Sequence, residues 1–225
     1  EDNAHGLGGS YHGAPLGTLG VLAAQSFHET KNLQCGEGGA LVMRDQAHVE
    51  RAEIMREKGT NRTQFHRGAI DKYSWVDIGS SYLPSDLLAG LLLAGLEEFD
   101  EIQRRRHHVW SAYDEALRTW AGRIGAAQPT VPDGCEHPAH LYYLLVERPE
   151  QRGALIRHLA AEGIQATFHY VPLHSSDAGR RLGRLGTSCD VTDDVSSRLV
   201  RLPLFPELDD AGIDRVVDAV TAFAG

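Results

Sequence analysis

Two kinds of hydrophobic spacing alternate along the chain. From Gly17 to Phe27, the residues Leu19, Val21, Ala23, Ala24 and Phe27 make a short apolar run, flanked by Gly20 and by polar Gln25-Ser26. Its length and flanks predict a buried strand. A second run, Gly39–Met43, predicts another strand. The loop between them carries His28-Glu29-Thr30-Lys31-Asn32 and Gly36-Glu37-Gly38-Gly39. Asp45 is placed to cap a helix over Gln46–Lys58, with Ile54 and Met55 on its apolar side and Gly59 just past its end. Residues 60–81 show no period and mix polar with aromatic positions (Phe65, Tyr73, Trp75). Loops of that length are usually functional.

Ser85-Asp86 opens a long helical pattern that reaches about Trp120 and is expected to kink or split near Asp100. Its middle, Arg104-Arg105-Arg106-His107-His108, is polar all round, as in a helix that bridges two domains. After a connection rich in Pro and Gly (Pro129, Pro132, Gly134, Pro138), the character changes. Strand-like His140–Val146, a helix Pro149–Glu162 ended by Gly163, and strand-like Ile164–Tyr170 form a β-α-β unit. Helical pieces are expected near Asp177–Leu185 and Thr192–Val200. Asp209 or Asp210 then caps a last amphipathic helix with Ile213, Val216, Val217 and Val220 inward. The fold class is therefore α/β, with residues 1–95 in a large domain, a linking helix over 96–120, and a small α+β domain over 121–225.

Composition narrows the function classes. The chain is 42% hydrophobic and 24% charged, close to globular averages, so collagen-like and disordered readings fail. Its formal net charge of −9 speaks against nucleic acid bound by bulk electrostatics. Cys35, Cys135 and Cys189 are widely separated, which fits neither a disulfide framework nor a zinc site and points to a reducing, cytoplasmic home. No metal is expected. The apolar stretch around Leu87–Leu96 contains Gly90 and Gly95 and falls short of the ~20 residues of a membrane helix, so no membrane association is expected. The opening Glu1-Asp2-Asn3-Ala4-His5-Gly6 reads as a strand end running into a polar loop, as though an N-terminal part were absent.

Three side chains carry the candidate chemistry. Lys31 lies on a short loop between two strands, where a lysine is stiffly placed and able to form a Schiff base; taken alone, by position, it reads as a surface lysine. Asp2 lies at the carboxyl end of a strand, where open α/β sheets bind ligands. Ser26 closes its strand with a hydroxyl that can donate to a phosphate. Each has a bland reading as a terminal acid or a turn serine. The glycines at 36, 38 and 39 mark either a tight turn or a close backbone approach.

The order and spacing of Glu1–Gly6, Ser26–Asn32 and Gly36–Leu41 resemble the DegT/DnrJ/EryC1/StrS sugar aminotransferases. Within that family the chain is most similar to the dTDP-4-amino-4,6-dideoxygalactose transaminases. The similarity runs through Arg56–Arg62, Asp71–Tyr82, Phe168–His174 and Arg201–Phe205, and so covers essentially the whole chain. The resemblance implies the type I PLP-dependent transferase fold, with its large domain truncated, and pyridoxal 5′-phosphate as cofactor. Lys31 would be the Schiff-base lysine, Asp2 the partner of the pyridine nitrogen, Ser26 a phosphate ligand, and His5 a neighbour of the cofactor ring. Ser81 stands where many relatives carry an Asn that reaches the cofactor phosphate of the neighbouring subunit. This implies a homodimer with the active site at its interface. Read by itself, Ser81 is a cap residue preceding a helix.

The implied reaction moves an amino group from glutamate to C4 of a dTDP-4-keto-6-deoxy-hexose, with Lys31 as the proton shuttle. Tyr73, Trp75, His169 and His174 are expected to face the sugar nucleotide because of their polar-aromatic setting. Two alternatives remain. One is a PLP-dependent sugar dehydratase, whose relatives carry His in place of the lysine, so that Lys31 argues against it. The other is a non-catalytic, truncated homologue serving as a dimerising or regulatory module.

Overall fold

A computed structural model describes all 225 residues. The chain forms two compact units, one of residues 1–101 and 133–138, the other of residues 102–132 and 139–225. The division falls at residue 101, inside a helix and within the 96–120 stretch expected to link the domains. Residues 133–138 return to the first unit, which the sequence reading did not anticipate.

In the first unit, β1 (Ser10–Tyr11) pairs antiparallel with β2 (Ala14–Pro15), while β3 (Leu22–Ser26) pairs antiparallel with β4 (Gly39–Met43), placing Ser26 opposite Gly39. Residues 1–3 run parallel beside β3 through Ala24 N–H to Glu1 O at 3.0 Å and Asn3 N–H to Ala24 O at 2.9 Å. β3 starts at Leu22, later than expected, because the Glu1 carboxylate accepts from Gly17 N at 2.9 Å and also from Gly20 N, holding that stretch as a turn. Asp45 does act as a cap, accepting from Ala47 N at 2.9 Å, but over a 3-10 turn that leads into α1 (Val49–Arg56). The expected irregular segment contains the short α2 (Arg62–His66).

The long helical pattern resolves into three helices: α3 (Asp86–Glu97), α4 (Phe99–Ala116) and α5 (Arg118–Ile124). Leu88, Leu92 and Phe99 pack on a small core of Phe27, Leu33 and Cys35, whereas Leu87, Leu91, Leu93 and Leu96 of α3 stay exposed. β5 (Cys135–Glu136) adds to β1.

The second unit holds the larger core. β6 (Tyr142–Leu145), α6 (Pro149–Ala161) and β7 (Thr167–Phe168) realise the expected β-α-β unit, though β7 is only two residues long. α7 (Asp177–Leu182) and α8 (Asp190–Arg198) follow. β8 (Leu199–Leu202) then inserts antiparallel between β6 and β7. The sequence reading ran helix through Val200. The structure corrects this, because Val200 and Leu202 alternate into the core as a strand requires. α9 (Asp210–Ala222) buries Ile213, Val216, Ala219 and Val220. Tyr113, Leu117, Trp120, Tyr142, Leu144, Leu155, Leu159 and Val200 form the centre of this core. Tyr113 Oη donates to Pro203 O at 3.0 Å and Trp120 Nε1 to Phe223 O at 2.9 Å, so the buried rings keep their polar tips satisfied. No helix is long and apolar enough to cross a membrane.

Candidate functional site

The site begins with strand alternation. Ala23, Gln25 and Phe27 are buried, so Leu22, Ala24 and Ser26 occupy the opposite face of β3. Asp2 is in register with Ala24 and therefore shares that face with Ser26, while Asn3 falls on the buried face, donating from Nδ2 to Gln25 Oε1 at 2.7 Å. Only Ala24 and, on the adjoining strand, Gly39 stand near Ser26 in the pairing pattern. On this face Asp2 lies alongside Ala24 and Ser26 ends the strand, with Leu22 at the other end and Leu41 and Gly39 facing them from β4. One Asp2 oxygen accepts from Ala4 N at 3.1 Å. Ser26 Oγ accepts from His28 N at 3.3 Å and keeps its proton for another acceptor.

The Lys31 loop leaves the same end of β3. It is stiffened on both sides of the lysine. Lys31 N donates to His28 O at 2.9 Å, Asn32 Nδ2 to Pro138 O at 2.6 Å, and Cys35 N to Phe27 O at 2.9 Å. Asn32, Leu33 and Cys35 are buried, while Lys31 itself is half-buried. No ion pair or side-chain hydrogen bond engages Lys31 Nζ. Gly38 is required here, because a Cβ would lie 2.6 Å from Cys35 Sγ. Lys31 thus sits with an uncommitted amine on a held loop, and the Asp2 carboxylate and Ser26 hydroxyl lie along the strand that leads into it. His28 makes its own small network, with Nδ1 at 3.1 Å from Thr30 Oγ1 and Nε2 at 3.7 Å from Glu37.

The profile of the DegT/DnrJ/EryC1/StrS aminotransferase family matches residues 1–221. The chain belongs to that family. It is 30% identical over 223 residues to dTDP-4-dehydro-2,3,6-trideoxy-D-glucose 4-aminotransferase from Saccharopolyspora spinosa, covering 97% of this chain and 56% of the relative. The solved structure of AtS13 from Actinomadura melliaura superposes with a TM-score of 0.84 at 32% identity, covering 99% of this chain and 57% of that one. Spr1654 of Streptococcus pneumoniae, solved in a PLP form and a PMP form, superposes in its PLP form at 0.79 with 26% identity, covering 98% and 56%. The chain thus spans somewhat over half the length of the family members it matches, and over that length it has the fold of the PLP-dependent sugar aminotransferases.

The other expected residues of this family member are spread over both units. His5 is exposed in the turn after Asp2. Ser81 is exposed and its backbone bridges to Glu57. It does not cap α3, where Ser85 Oγ accepts from Leu88 N at 3.4 Å, so the helix-cap reading of Ser81 is set aside. Tyr73 lies against Phe65, with centroids 5.6 Å apart, and under the Arg62 guanidinium at 5.9 Å, whereas Trp75 is 78% exposed. In the second unit, His174 Nε2 is 2.9 Å from Asp193 Oδ1. His169 lies at the end of β7, and its pKa is pushed down by burial first and by the Arg201 charge second. A cleft of about 670 Å³ in that unit, bordered by Arg123, Glu147 and Gln151, contains none of the expected residues.

Sequence reading missed Asn3. Besides Gln25 it bonds Leu16 O at 3.1 Å, and a Cβ at Gly6 would overlap its carboxamide. It therefore fixes the strand end that carries Asp2. The nearby Gly6 was the available signal, but the partners at 16 and 25 are too distant in sequence to read.

Proposed function

We propose that this chain is the lysine-bearing portion of a PLP-dependent sugar-nucleotide aminotransferase, acting on a dTDP-4-keto-6-deoxy-hexose with glutamate as amino donor. The observation that carries the reading is the shared strand face of Asp2 and Ser26, with the uncommitted Lys31 amine on the loop leaving the same strand end. When bound, pyridoxal phosphate supplies an electron-withdrawing ring that stabilises negative charge on a substrate carbon. Lys31 Nζ would hold the cofactor's aldehyde carbon and, once displaced by the donor, move a proton to and from the reacting substrate carbon. The second Asp2 oxygen would keep a proton at the ring nitrogen, and Ser26 Oγ–H would donate to the phosphate. The dTDP-linked keto-sugar is supported by the similarity to the Saccharopolyspora enzyme and by the segments Asp71–Tyr82 and Phe168–His174. Ser81 and His5 complete the proposed cofactor set. In a homodimer, Ser81 would serve the neighbouring subunit.

The test uses the chain as it stands. Incubation with pyridoxal phosphate, borohydride reduction and peptide mass mapping should place one pyridoxyl group on Lys31, and Lys31→Met should take up none while keeping its circular dichroism. Modification that falls as readily on Lys58 or Lys72, the other two lysines, or none at all, would overturn the reading in favour of the non-catalytic module.

A further inference from the structure

We infer that the face of the β6–β8–β7 sheet turned away from the core of the second unit binds an oxyanion between Arg201 and His169. Tyr142, Leu144, Val200 and Leu202 point into the core. Alternation therefore puts Tyr143 and Arg201, which are paired directly across β6 and β8, on the other face. Thr167, paired with Arg201 across β8 and β7, joins them. His169 lies two residues beyond Thr167.

Two nitrogens at this place are buried without any hydrogen-bond partner, Arg201 Nε and His169 Nδ1. Two acids of α8, the helix that leads into β8, are committed elsewhere: Asp193 to His174 at 2.9 Å and Asp194 to Arg198 through Nε at 2.9 Å. Arg201 has no carboxylate within ion-pair distance. Its charge nevertheless reaches the imidazole, since it helps to lower the His169 pKa. An unneutralised guanidinium beside an imidazole with an unused ring nitrogen is a donor set without an acceptor. A buried donor left unpaired is costly, and a planar oxyanion satisfies it best, bridging Nε–H and a terminal N–H of the arginine while Nδ1–H donates a third bond. The Tyr143 and Thr167 hydroxyls lie on the same face as further neutral donors.

Phosphate and carboxylate share this chemistry. On the proposed reaction they correspond to the diphosphate of the nucleotide sugar and the carboxylates of the amino donor. That choice of source rests on the sugar-aminotransferase reading, whereas the oxyanion site does not.

The experiment follows the His169 ring resonances of the full 225-residue chain by NMR. His169→Asn assigns the signals, and pyrophosphate or glutamate is titrated at constant ionic strength. At least one anion should shift the ring signals saturably. Saturation by pyrophosphate assigns the site to the diphosphate, saturation by glutamate to the donor. Arg201→Gln should weaken that binding by about tenfold or more, and Arg201→Lys should recover only part of it. If neither anion moves the wild-type signals, or if Arg201→Gln binds as tightly as wild type, the proposal is overturned; the wild-type titration decides it even if a variant misfolds. Pyridoxyl labelling of Lys31 is scored in parallel. Anion binding without labelling would fail the function reading alone, and labelling without anion binding would fail this site alone.

Discussion

At the scale of single residues, the proposed chemistry rests on segments that are fixed by other side chains. Asn3 is 5% exposed and ties three backbone regions together through one carboxamide. Asn3→Ala leaves Gln25 Oε1 and Leu16 O without that donor, and burying unpaired polar groups costs about 1–3 kcal/mol. The expected result is a loss of that size in urea denaturation, together with weaker pyridoxal phosphate uptake as the Asp2 segment loosens. Lys31, Asp2 and Ser26 were singled out by the family motifs around them, since each taken alone also has a bland reading. Asn3 and Arg201 were not. What they meet or fail to meet in space is not written in the sequence, and the first two residues of the strand that carries Arg201 were read as the end of a helix.

Elements were legible where a run carried its own boundaries. β4 was readable to the residue because five apolar positions begin at a glycine and end before Arg44-Asp45. α9 was readable because an Asp precedes a clean helical stripe. Its cap is real, with Asp209 Oδ1 accepting from Gly212 N at 2.9 Å. Asp209→Ala should lower the stability of the second unit by about 1 kcal/mol, seen as an earlier denaturation midpoint with an unchanged slope. β1, β2 and β5 were invisible because each is two residues long, and the partner of Ser10 is Glu136, far along the chain. β8 was invisible because it starts directly after α8, so its first two residues, Leu199 and Val200, were absorbed into a helical period and too little alternation was left to read.

At the scale of the whole molecule, the two units differ in what holds them. The first has a core of three buried residues, Phe27, Leu33 and Cys35, supported by partly buried neighbours, and its α3 shows a row of exposed leucines. The second has a continuous core running from Val109 to Val220. Local opening free energy follows buried apolar contact. Hydrogen exchange on this chain should therefore show amides of β3 and α3 exchanging well before those of β6, β8 and α9. Equal protection in both units would contradict the difference in cores.

Cys35 gives the Lys31 loop a native reporter. Its thiol is 1% exposed beneath that loop, with Sγ 3.4 Å from Glu37 O, whereas Cys135 and Cys189 are partly open to solvent. A thiol reagent would meet the two open cysteines first and reach the third only when residues 31–38 lift away. The slow phase of alkylation would then time how often the amine-bearing segment lets go of its seat, without any engineered label.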